Sequence, residues 1–413
     1  DLTIDALSGA SAFGDRGVGL YVQSEAREGA GNLDLFVDGS LYADGESGAG
    51  LVGISRSSDG DAGTLDLDLR AGATANAVLA TGISLLSGGN QRAGDIDVNV
   101  RGRLEAVGEE ASGVVASSVA QHGAGDLDVG LQSTVLADGD ASRGVVLEST
   151  AGSTAGRIDL DLDGALGAYG EGASGIEARS RGGSLGGRIR LAVGEQLEAI
   201  GDAVSALLAH SEGAGVAGDV SAGLGGDLLL QGQSASGLDL LSKARLRAGD
   251  ILASFGSSLL MLGEEARGAL LQSLSNTQAG DLGVSVAGDL LAEGGGLTAV
   301  EALSESAGVA GAIDASVAGL TSITGEGARG LILSSLGGQR SGDISAGFGG
   351  DLLLYGDGVS GLEVVSAASE ADEPVLPAVL AASNDAPAGT AGTAGDIDVS
   401  LGGLTLVDGD SGS

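Results

Sequence analysis

Apolar and polar residues alternate in short stretches along this chain, and the stretches recur at a fixed interval. In Ile96–Val100 the order is Ile-Asp-Val-Asn-Val, and this period of two predicts a β-strand with one buried face. Similar stretches begin thirteen times, with a step of 31 residues in ten of the twelve intervals, 32 in one and 53 in one. A fixed period of this size predicts a solenoid or a related repeat architecture. The copies begin at Asp1, Asn32, Thr64, Asp95, Asp126, Arg157, Arg188, Asp219, Asp250, Asp281, Ala312, Asp343 and Asp396.

Each copy contains three alternations when its residues are numbered from its first residue. Positions 2, 4 and 6 are apolar, and so for the most part are positions 10 and 12 and positions 20 and 22. Glycine occupies position 14 in twelve of thirteen copies and the last position of all twelve complete copies, which marks turns with positive φ or a close backbone approach. The pattern predicts an all-β fold, a right-handed parallel β-helix (β-solenoid) of about thirteen 31-residue coils with three short strands each.

One β-helix domain is therefore expected over residues 1–413, and coils stacked about 4.8 Å apart would form a rod roughly 60 Å long. Helical repeats of similar length need 3.6-period apolar faces, and no segment avoids glycine for long enough to form one. Propeller repeats need four strands and more residues per unit. The β-helix is favoured over both.

Composition excludes several classes of protein. The chain has 79 glycines but only three prolines without a Gly-X-Y period, and 43% hydrophobic residues, so neither collagen nor a disordered acidic tail is expected. Its 57 acidic and 19 basic residues give a net charge of −38, which argues against nucleic-acid binding. With no cysteine there is no disulfide framework or thiolate metal site, and no apolar run reaches the roughly 20 residues of a membrane helix.

Position 24 is serine in every copy that reaches it. We expect these serines to bond neighbouring turns, because an activated serine needs an adjacent base and His122 and His210 are the only histidines. The sequence thus gives no catalytic residue, and the chain is expected not to be an enzyme. The serines are Ser24, Ser55, Ser87, Ser118, Ser149, Ser180, Ser211, Ser242, Ser273, Ser304, Ser335 and Ser366.

Acidic residues recur at positions 1, 3 and 15 and would stack as lines of carboxylates. Like charges at the spacing of stacked strands repel, so water, salt, intercalated Arg157 or Arg188, or calcium would have to screen them. No GGxGxD calcium motif occurs, and we favour carboxylates that keep the rod soluble and bond local amides. No cofactor is expected, with calcium left as an alternative. The position-3 aspartates are Asp34, Asp66, Asp97, Asp128, Asp159, Asp314 and Asp398.

The array is irregular at a degenerate coil, Thr64–Gly94, and at an insertion. A segment within 367–395 carries 22 extra residues and all three prolines, and proline cannot donate to a strand ladder. We expect a projecting loop whose apolar centre docks a partner or lies along the rod. Its candidate binding residues are Val375, Leu376, Val379 and Leu380. Neither end carries a visible cap, which would suit a fragment or a filament subunit.

Three repeat segments of the chain resemble those of a known family. Ala93–Gly113, Gly175–Gly187 (GIEARSRGGSLGG) and Gly330–Ile344 (GLILSSLGGQRSGDI) are similar in repeat style to passenger domains of bacterial autotransporters and related type V secreted proteins. The resemblance spans essentially the whole chain. It implies a right-handed β-helix, export across the outer membrane, and a role in adhesion, aggregation or surface coating.

The sequence therefore predicts a non-enzymatic, extracellular structural or adhesive rod of a bacterial surface protein. Its expected partners are a host or neighbouring-cell surface, or other copies of itself end to end, with no nucleic acid and no embedding in a membrane. One alternative is a filament or sheath subunit that polymerises through uncapped coils. A second is a polysaccharide-active enzyme, which is disfavoured because acid pairs are abundant by repetition alone and Tyr21, Tyr42, Tyr169 and Tyr355 lie on scattered copies.

Overall fold

A computed structural model describes residues 1–368 and 393–408 of the chain. In this part the fold consists of 38 β-strands, three per coil in the first twelve coils and two in the thirteenth. No helix of a length and apolarity suited to crossing a bilayer occurs in these residues. The predicted all-β solenoid with three strands per coil is confirmed.

The strands follow the repeat from one end of the described chain to the other. Coils 1 to 4 contain β1 (Leu2–Ala6), β2 (Ala10–Phe13), β3 (Val18–Ala26), β4 (Leu33–Val37), β5 (Leu41–Asp44), β6 (Ala49–Ser57), β7 (Leu65–Leu69), β8 (Ala73–Asn76), β9 (Thr81–Gly89), β10 (Ile96–Val100), β11 (Leu104–Val107) and β12 (Ser112–Ala120). Coils 5 to 8 contain β13 (Leu127–Leu131), β14 (Val135–Asp138), β15 (Arg143–Ala151), β16 (Ile158–Leu162), β17 (Leu166–Tyr169), β18 (Ser174–Gly182), β19 (Ile189–Val193), β20 (Leu197–Ile200), β21 (Ser205–Gly213), β22 (Val220–Leu224), β23 (Leu228–Gln231) and β24 (Ser236–Ala244). Coils 9 to 13 contain β25 (Ile251–Phe255), β26 (Leu259–Leu262), β27 (Arg267–Ser275), β28 (Leu282–Val286), β29 (Leu290–Glu293), β30 (Thr298–Ser306), β31 (Ile313–Val317), β32 (Thr321–Thr324), β33 (Arg329–Gly337), β34 (Ile344–Phe348), β35 (Leu352–Tyr355), β36 (Ser360–Ala368), β37 (Ile397–Leu401) and β38 (Thr405–Asp408).

Equivalent strands of successive coils pair in parallel and form three long sheets. Sheet 1 contains the first strand of each coil, sheet 2 the second and sheet 3 the third, with 13, 13 and 12 strands in order along the chain. The register follows the sequence repeat, so that Ile96 lies beside Leu65 on one side and Leu127 on the other. Position n of one coil therefore lies beside position n of the next, and every conserved position of the repeat becomes a line of side chains along the rod.

The core is the apolar face of the three sheets. In β7, Leu65, Leu67 and Leu69 are buried while Asp66 is exposed, as the alternating pattern predicts. Buried side chains from every sheet join in one continuous hydrophobic cluster along the rod. The third strand is nine residues long, longer than the short alternation predicts, because it also includes the serine at position 24 and a small residue at position 26.

Two neighbouring turn positions adopt left-handed backbone. Eleven glycines at position 14 have φ between 87° and 150°, and all twelve residues at position 16 have φ between 53° and 65°. The sequence pattern identified the first position, since glycine occupies it. It did not identify the second, because eight of the twelve residues there are not glycine; Leu79 in the degenerate coil is one of them, with φ 58°.

The repeat continues in register across the insertion. Strand β36 ends at Ala368, Thr393 forms a bridge with Arg340, and Ile397 of β37 lies beside Ile344 of β34. The candidate binding residues Val375, Leu376, Val379 and Leu380 lie outside the described residues.

Candidate functional site

The serines at position 24 link the corners of successive coils. Ser118 is fully buried, and its Oγ accepts a hydrogen bond from the N–H of Gly125 at 2.7 Å and donates to the carbonyl of Gly94 at 3.3 Å. The equivalent contacts recur along the rod with distances of 2.7–3.3 Å. Except at Ser24 in the first coil, which only accepts a hydrogen bond, both the donor and an acceptor of the hydroxyl are thus engaged with backbone, as expected of a structural residue. The predicted bonding of these serines to turns is confirmed.

No histidine is placed to activate these serines. His210 lies in β21 with its Nε2 3.2 Å from Oδ1 of Asp239 in the next strand of sheet 3. Position 23, which His210 occupies, faces away from the core, whereas Ser211 beside it is fully buried. Nucleophilic catalysis needs the base within hydrogen-bond reach of the hydroxyl. The arrangement in the described residues offers no such pair.

Aspartates at the turns bond the backbone of the following coil. Oδ1 of Asp95 accepts the N–H of Asp126 at 2.8 Å, and Oδ1 of Asp126 accepts the N–H of Arg157 at 2.8 Å. The same contact occurs at position 15, from Asp202 to the N–H of Gln233 at 3.0 Å. We expected turn carboxylates to bond local amides; the amide is instead 31 residues further on. These carboxylates are occupied in joining coils.

A second line of carboxylates lies on the outer face of sheet 1, and we call it the aspartate column. It is formed by Asp34, Asp66, Asp97, Asp128 and Asp159, which are neighbours in register. Partial burial, and then the charges of Asp34 and Asp68, raise the pKa of Asp66. Partial burial, and then Asp66 and Asp128, raise the pKa of Asp97. Burial is the larger cause of both shifts in pKa, and repulsion between neighbouring carboxylates adds to it.

Arginines relieve this repulsion at one end of the column. The guanidinium of Arg157 lies 3.2 Å from Asp126, 3.8 Å from Asp128 and 3.5 Å from Asp159. Arg188 lies 3.4 Å from Asp159 on its other side. The predicted intercalation of arginines among the carboxylates is confirmed here. It does not extend to Asp97, whose pKa is raised first by partial burial and then by its acidic neighbours Asp66 and Asp128.

The acidic side chains do not form a chelating centre in the part of the chain that the structure describes. No group of three or more histidine or acidic side chains there is arranged to hold a metal ion. A shallow depression of about 400 Å³ is lined by Asp281, Asp314, Asp343, Asp396 and Asp398. Two of these, Asp281 and Asp343, already accept backbone N–H groups of the next coil. The depression is an acidic surface built from the two kinds of aspartate line.

Aromatic side chains do not gather into a platform for sugar rings among the described residues. Tyr42 contacts Phe13, with ring centroids 5.8 Å apart. Tyr169, four coils further along sheet 2, packs its ring against Gly167 and donates a hydrogen bond to Glu198. Burial and that hydrogen bond raise the pKa of Tyr169 to about 12. It is therefore a neutral hydrogen-bond donor at any physiological pH.

Comparison with known proteins gives no relative. No family model, no curated protein and no solved structure matches this chain.

Proposed function

We propose that this chain is a non-enzymatic structural or adhesive rod, displayed outside a bacterial cell in the manner of an autotransporter passenger domain. Its role would be geometric, because the solenoid holds surface side chains at fixed intervals along one axis. A partner surface or a neighbouring cell would contact the outer faces of the sheets. The proposal rests on the shape and uniformity of the described coils.

The observation that carries the proposal is the repetition of the same internal contacts from coil 2 to coil 12. Catalytic sites break local regularity, because strained backbone and buried charge are retained there for function. In coils 2 to 12 the core, the serine contacts and the register keep one pattern. What varies from coil to coil is the outer surface, which suits a role in contact rather than in chemistry.

Four further features support an extracellular, autotransporter-like origin. The chain has no cysteine, and its net charge of −38 favours a soluble rod that does not self-associate through its sides. Its repeats resemble those of type V secreted proteins in the segments quoted above. A parallel solenoid also gives long reach for a given chain length, with contacts made only between neighbouring coils.

Bead adhesion tests this proposal. Latex beads coated with the folded chain are expected to bind bacterial or epithelial cell layers in greater numbers than beads coated with the same chain after heat unfolding. Equal retention of both kinds of bead would contradict an adhesive role. Circular dichroism of the eluted protein would verify that the two preparations differ in fold.

A substrate screen tests the non-enzymatic part separately. Incubation with acidic and neutral polysaccharides, peptides and esters is expected to give no turnover above buffer. Any turnover that a single Asp→Asn or Glu→Gln substitution abolishes would overturn the proposal in favour of an enzyme.

A further inference from the structure

A groove of about 570 Å³ runs beside the turn that follows sheet 3, from coil 5 to coil 9. Its floor is formed by small residues in register, Ala151, Gly182, Gly213 and Ala244. Polar side chains lie along the groove, because the adjacent repeat position carries Thr150, Arg181, Glu212 and Lys243, also in register. Arg245 and Asn276 complete its lining.

The groove is a basic site on a strongly acidic protein. Arg181, Lys243 and Arg245 line it, against the single acid Glu212, whereas the whole chain carries 57 acidic and 19 basic residues. The Nε of Arg181 lies 3.5 Å from Glu212, so a ligand carboxylate at Arg181 would share its guanidinium group with Glu212. In the described part of the chain, no acidic group lies within ion-pair distance of Lys243 or Arg245. These two cations are available to an anionic ligand.

Acids on the neighbouring face of sheet 3 are already engaged. Glu177 lies 2.7 Å from Arg179 and 3.5 Å from Arg143. Asp239 contacts His210, and Glu148 accepts a hydrogen bond from Thr150 at 3.0 Å. Glu177 is thus paired with two arginine charges, and Asp239 and Glu148 each have a hydrogen-bond partner before any ligand arrives.

The order of charges along the groove favours some anionic polymers over others. Arg181, Glu212 and Lys243 occupy successive coils, so positive charges recur every second coil, at about 9–10 Å from two steps of about 4.8 Å. A uniformly charged polymer would place an anion against Glu212. A chain with neutral groups between its acids would not.

An extended peptide in polyproline II conformation has this spacing. Its side chains repeat on one face every three residues, which is about 9.3 Å at a rise of 3.1 Å per residue. Side chains of a β-strand repeat every two residues, at about 6.7 Å, and do not match. The peptide also cannot join sheet 3 as a further strand, because β18, β21 and β24 each already pair with strands on both sides.

We infer that this groove binds an extended acidic peptide segment in polyproline II conformation, with carboxylates three residues apart on Arg181 and Lys243. Arg245 would add a third contact at the coil 8 end. A polyproline II backbone makes no internal hydrogen bonds, so its carbonyls can accept from the side-chain amide of Asn276. No aromatic side chain lines the groove, which disfavours a sugar chain. The inference goes beyond the proposed function by naming a partner chemistry for one surface of the rod.

Fluorescence anisotropy with a labelled peptide tests it. A peptide of four Pro-Pro-Glu units is expected to bind the full chain at low ionic strength, while a Pro-Pro-Gln peptide does not. Substitution of both Lys243→Gln and Arg245→Gln is expected to weaken binding roughly tenfold, the effect of losing two exposed charge contacts. Arg56→Gln removes a cation at the same repeat position as Lys243 in coil 2 and is expected to leave binding unchanged.

Other outcomes would overturn the inference. Equal weakening by Arg56→Gln would indicate a diffuse charge effect, and equal binding of a Pro-Glu alternating peptide would remove the spacing argument. Tighter binding of heparin than of the peptide would assign the groove to sulfated glycans instead. Thermal melting of each variant verifies that it is folded. If beads coated with the Lys243→Gln/Arg245→Gln variant still adhere to cells, the adhesive role does not depend on the groove. The two proposals can therefore fail separately.

Discussion

Two buried serines, Ser180 in β18 of sheet 3 and Ser142 in the turn just before β15, differ in what their hydroxyls contact. Ser180 accepts the N–H of Gly187 at 2.8 Å and donates to the carbonyl of Gly156 at 2.9 Å, whereas the Oγ of Ser142 has no partner. Both are fully buried. Removing a hydroxyl that hydrogen-bonds buried backbone N–H and C=O groups lowers the free energy of unfolding, whereas removing an unpaired hydroxyl changes it little.

Ser180→Ala is therefore expected to lower the free energy of unfolding by roughly 1–3 kcal/mol. Ser142→Ala, the matched control, is expected to leave it unchanged or to raise it. Urea unfolding followed by circular dichroism measures both. Equal losses in the two variants would show that the hydrogen bonds of the serine ladder do not matter for stability.

The aspartate column gives a pH-dependent prediction. Because the pKa of Asp97 is raised on folding, the native state binds more protons than the unfolded state through that range. Its stability contribution is present below the ordinary pKa of 3.8 and is lost as pH rises through the folded value. Asp97→Asn is therefore expected to raise stability at pH 7 by a few tenths of a kcal/mol, since exposed charges are screened.

Asp159→Asn is the control for that substitution. Asp159 lies in the same column but contacts Arg157 and Arg188, so neutralising it should lower stability at pH 7. Melting temperatures measured from pH 3 to pH 7 compare the two. If Asp97→Asn gave the same benefit at pH 3 as at pH 7, repulsion in the column would not be its cause.

Backbone strain at position 16 can be measured without a steric clash. Gly172 has φ 65°, and a Cβ there would meet no atom within 4 Å; Ala141 occupies the same position one coil earlier with φ 53°. Gly172→Ala is expected to lower the free energy of unfolding by about 1 kcal/mol through left-handed strain. Ala141→Gly should raise the free energy of unfolding slightly or leave it nearly unchanged, because relief of strain is offset by the entropy of glycine in the unfolded chain. Losses of the same sign and size in both variants would contradict this account of the turn.

At the scale of strands and turns, the period and the alternation predicted which elements form and which side chains enter the core. Leu65, Leu67 and Leu69 are buried in the predicted order, and equivalent strands stack as predicted. The individual hydrogen-bond partners of Ser118 could not be predicted, because the acceptor Gly94 lies 24 residues before it and the donor Gly125 seven after it. The bond from Asp95 to the N–H of Asp126 was missed for the same reason, since only the three-dimensional stack brings them together.

The groove was likewise invisible to sequence analysis. Arg181, Glu212 and Lys243 are 31 residues apart, and at their repeat position the other coils carry a mixture of glycine, apolar, polar and charged residues, among them Gly88, Arg56 and Glu305. Nothing in one copy marks them as a set. A scan of each repeat position for runs of charge would have found the alternation, because register converts repeat position into spatial neighbourhood.

The glycine at the end of each coil is required by its closeness to the preceding coil. A Cβ on Gly125 would lie 2.3 Å from the carbonyl oxygen of Gly94, whereas a Cβ on Gly123, two residues earlier, would lie 3.7 Å from Cγ of Arg92. Gly125→Ala is expected to lower stability by roughly 2–4 kcal/mol, since backbone must move. Gly123→Ala should change it by less than about 0.5 kcal/mol.

Hydrogen exchange would locate that effect. Faster exchange in Gly125→Ala is expected at the turns joining coils 3 to 5 and not at distant coils, because contacts in a solenoid are made between neighbours. Loss of protection along the entire rod would indicate one cooperative unit rather than a stack of coupled coils.

For the whole molecule, distance along the rod is expected to be proportional to coil number, and we propose that the chain acts through this reach. Because the chain has no cysteine, spin labels can be attached to introduced cysteines alone. Gln91, Thr277 and Gln339 are exposed at one repeat position, in coils 3, 9 and 11. The pairs Gln91→Cys with Thr277→Cys, and Gln91→Cys with Gln339→Cys, therefore span six and eight coils.

Pulsed electron–electron double resonance, which measures the distance between the two spin labels of each pair, is the most direct measurement. The expected distances are about 29 Å and 38 Å, with a difference of about 10 Å that cancels the length of the label. Distances that fail to rise with coil number, or a difference near zero, would contradict the rod and the function proposed from it.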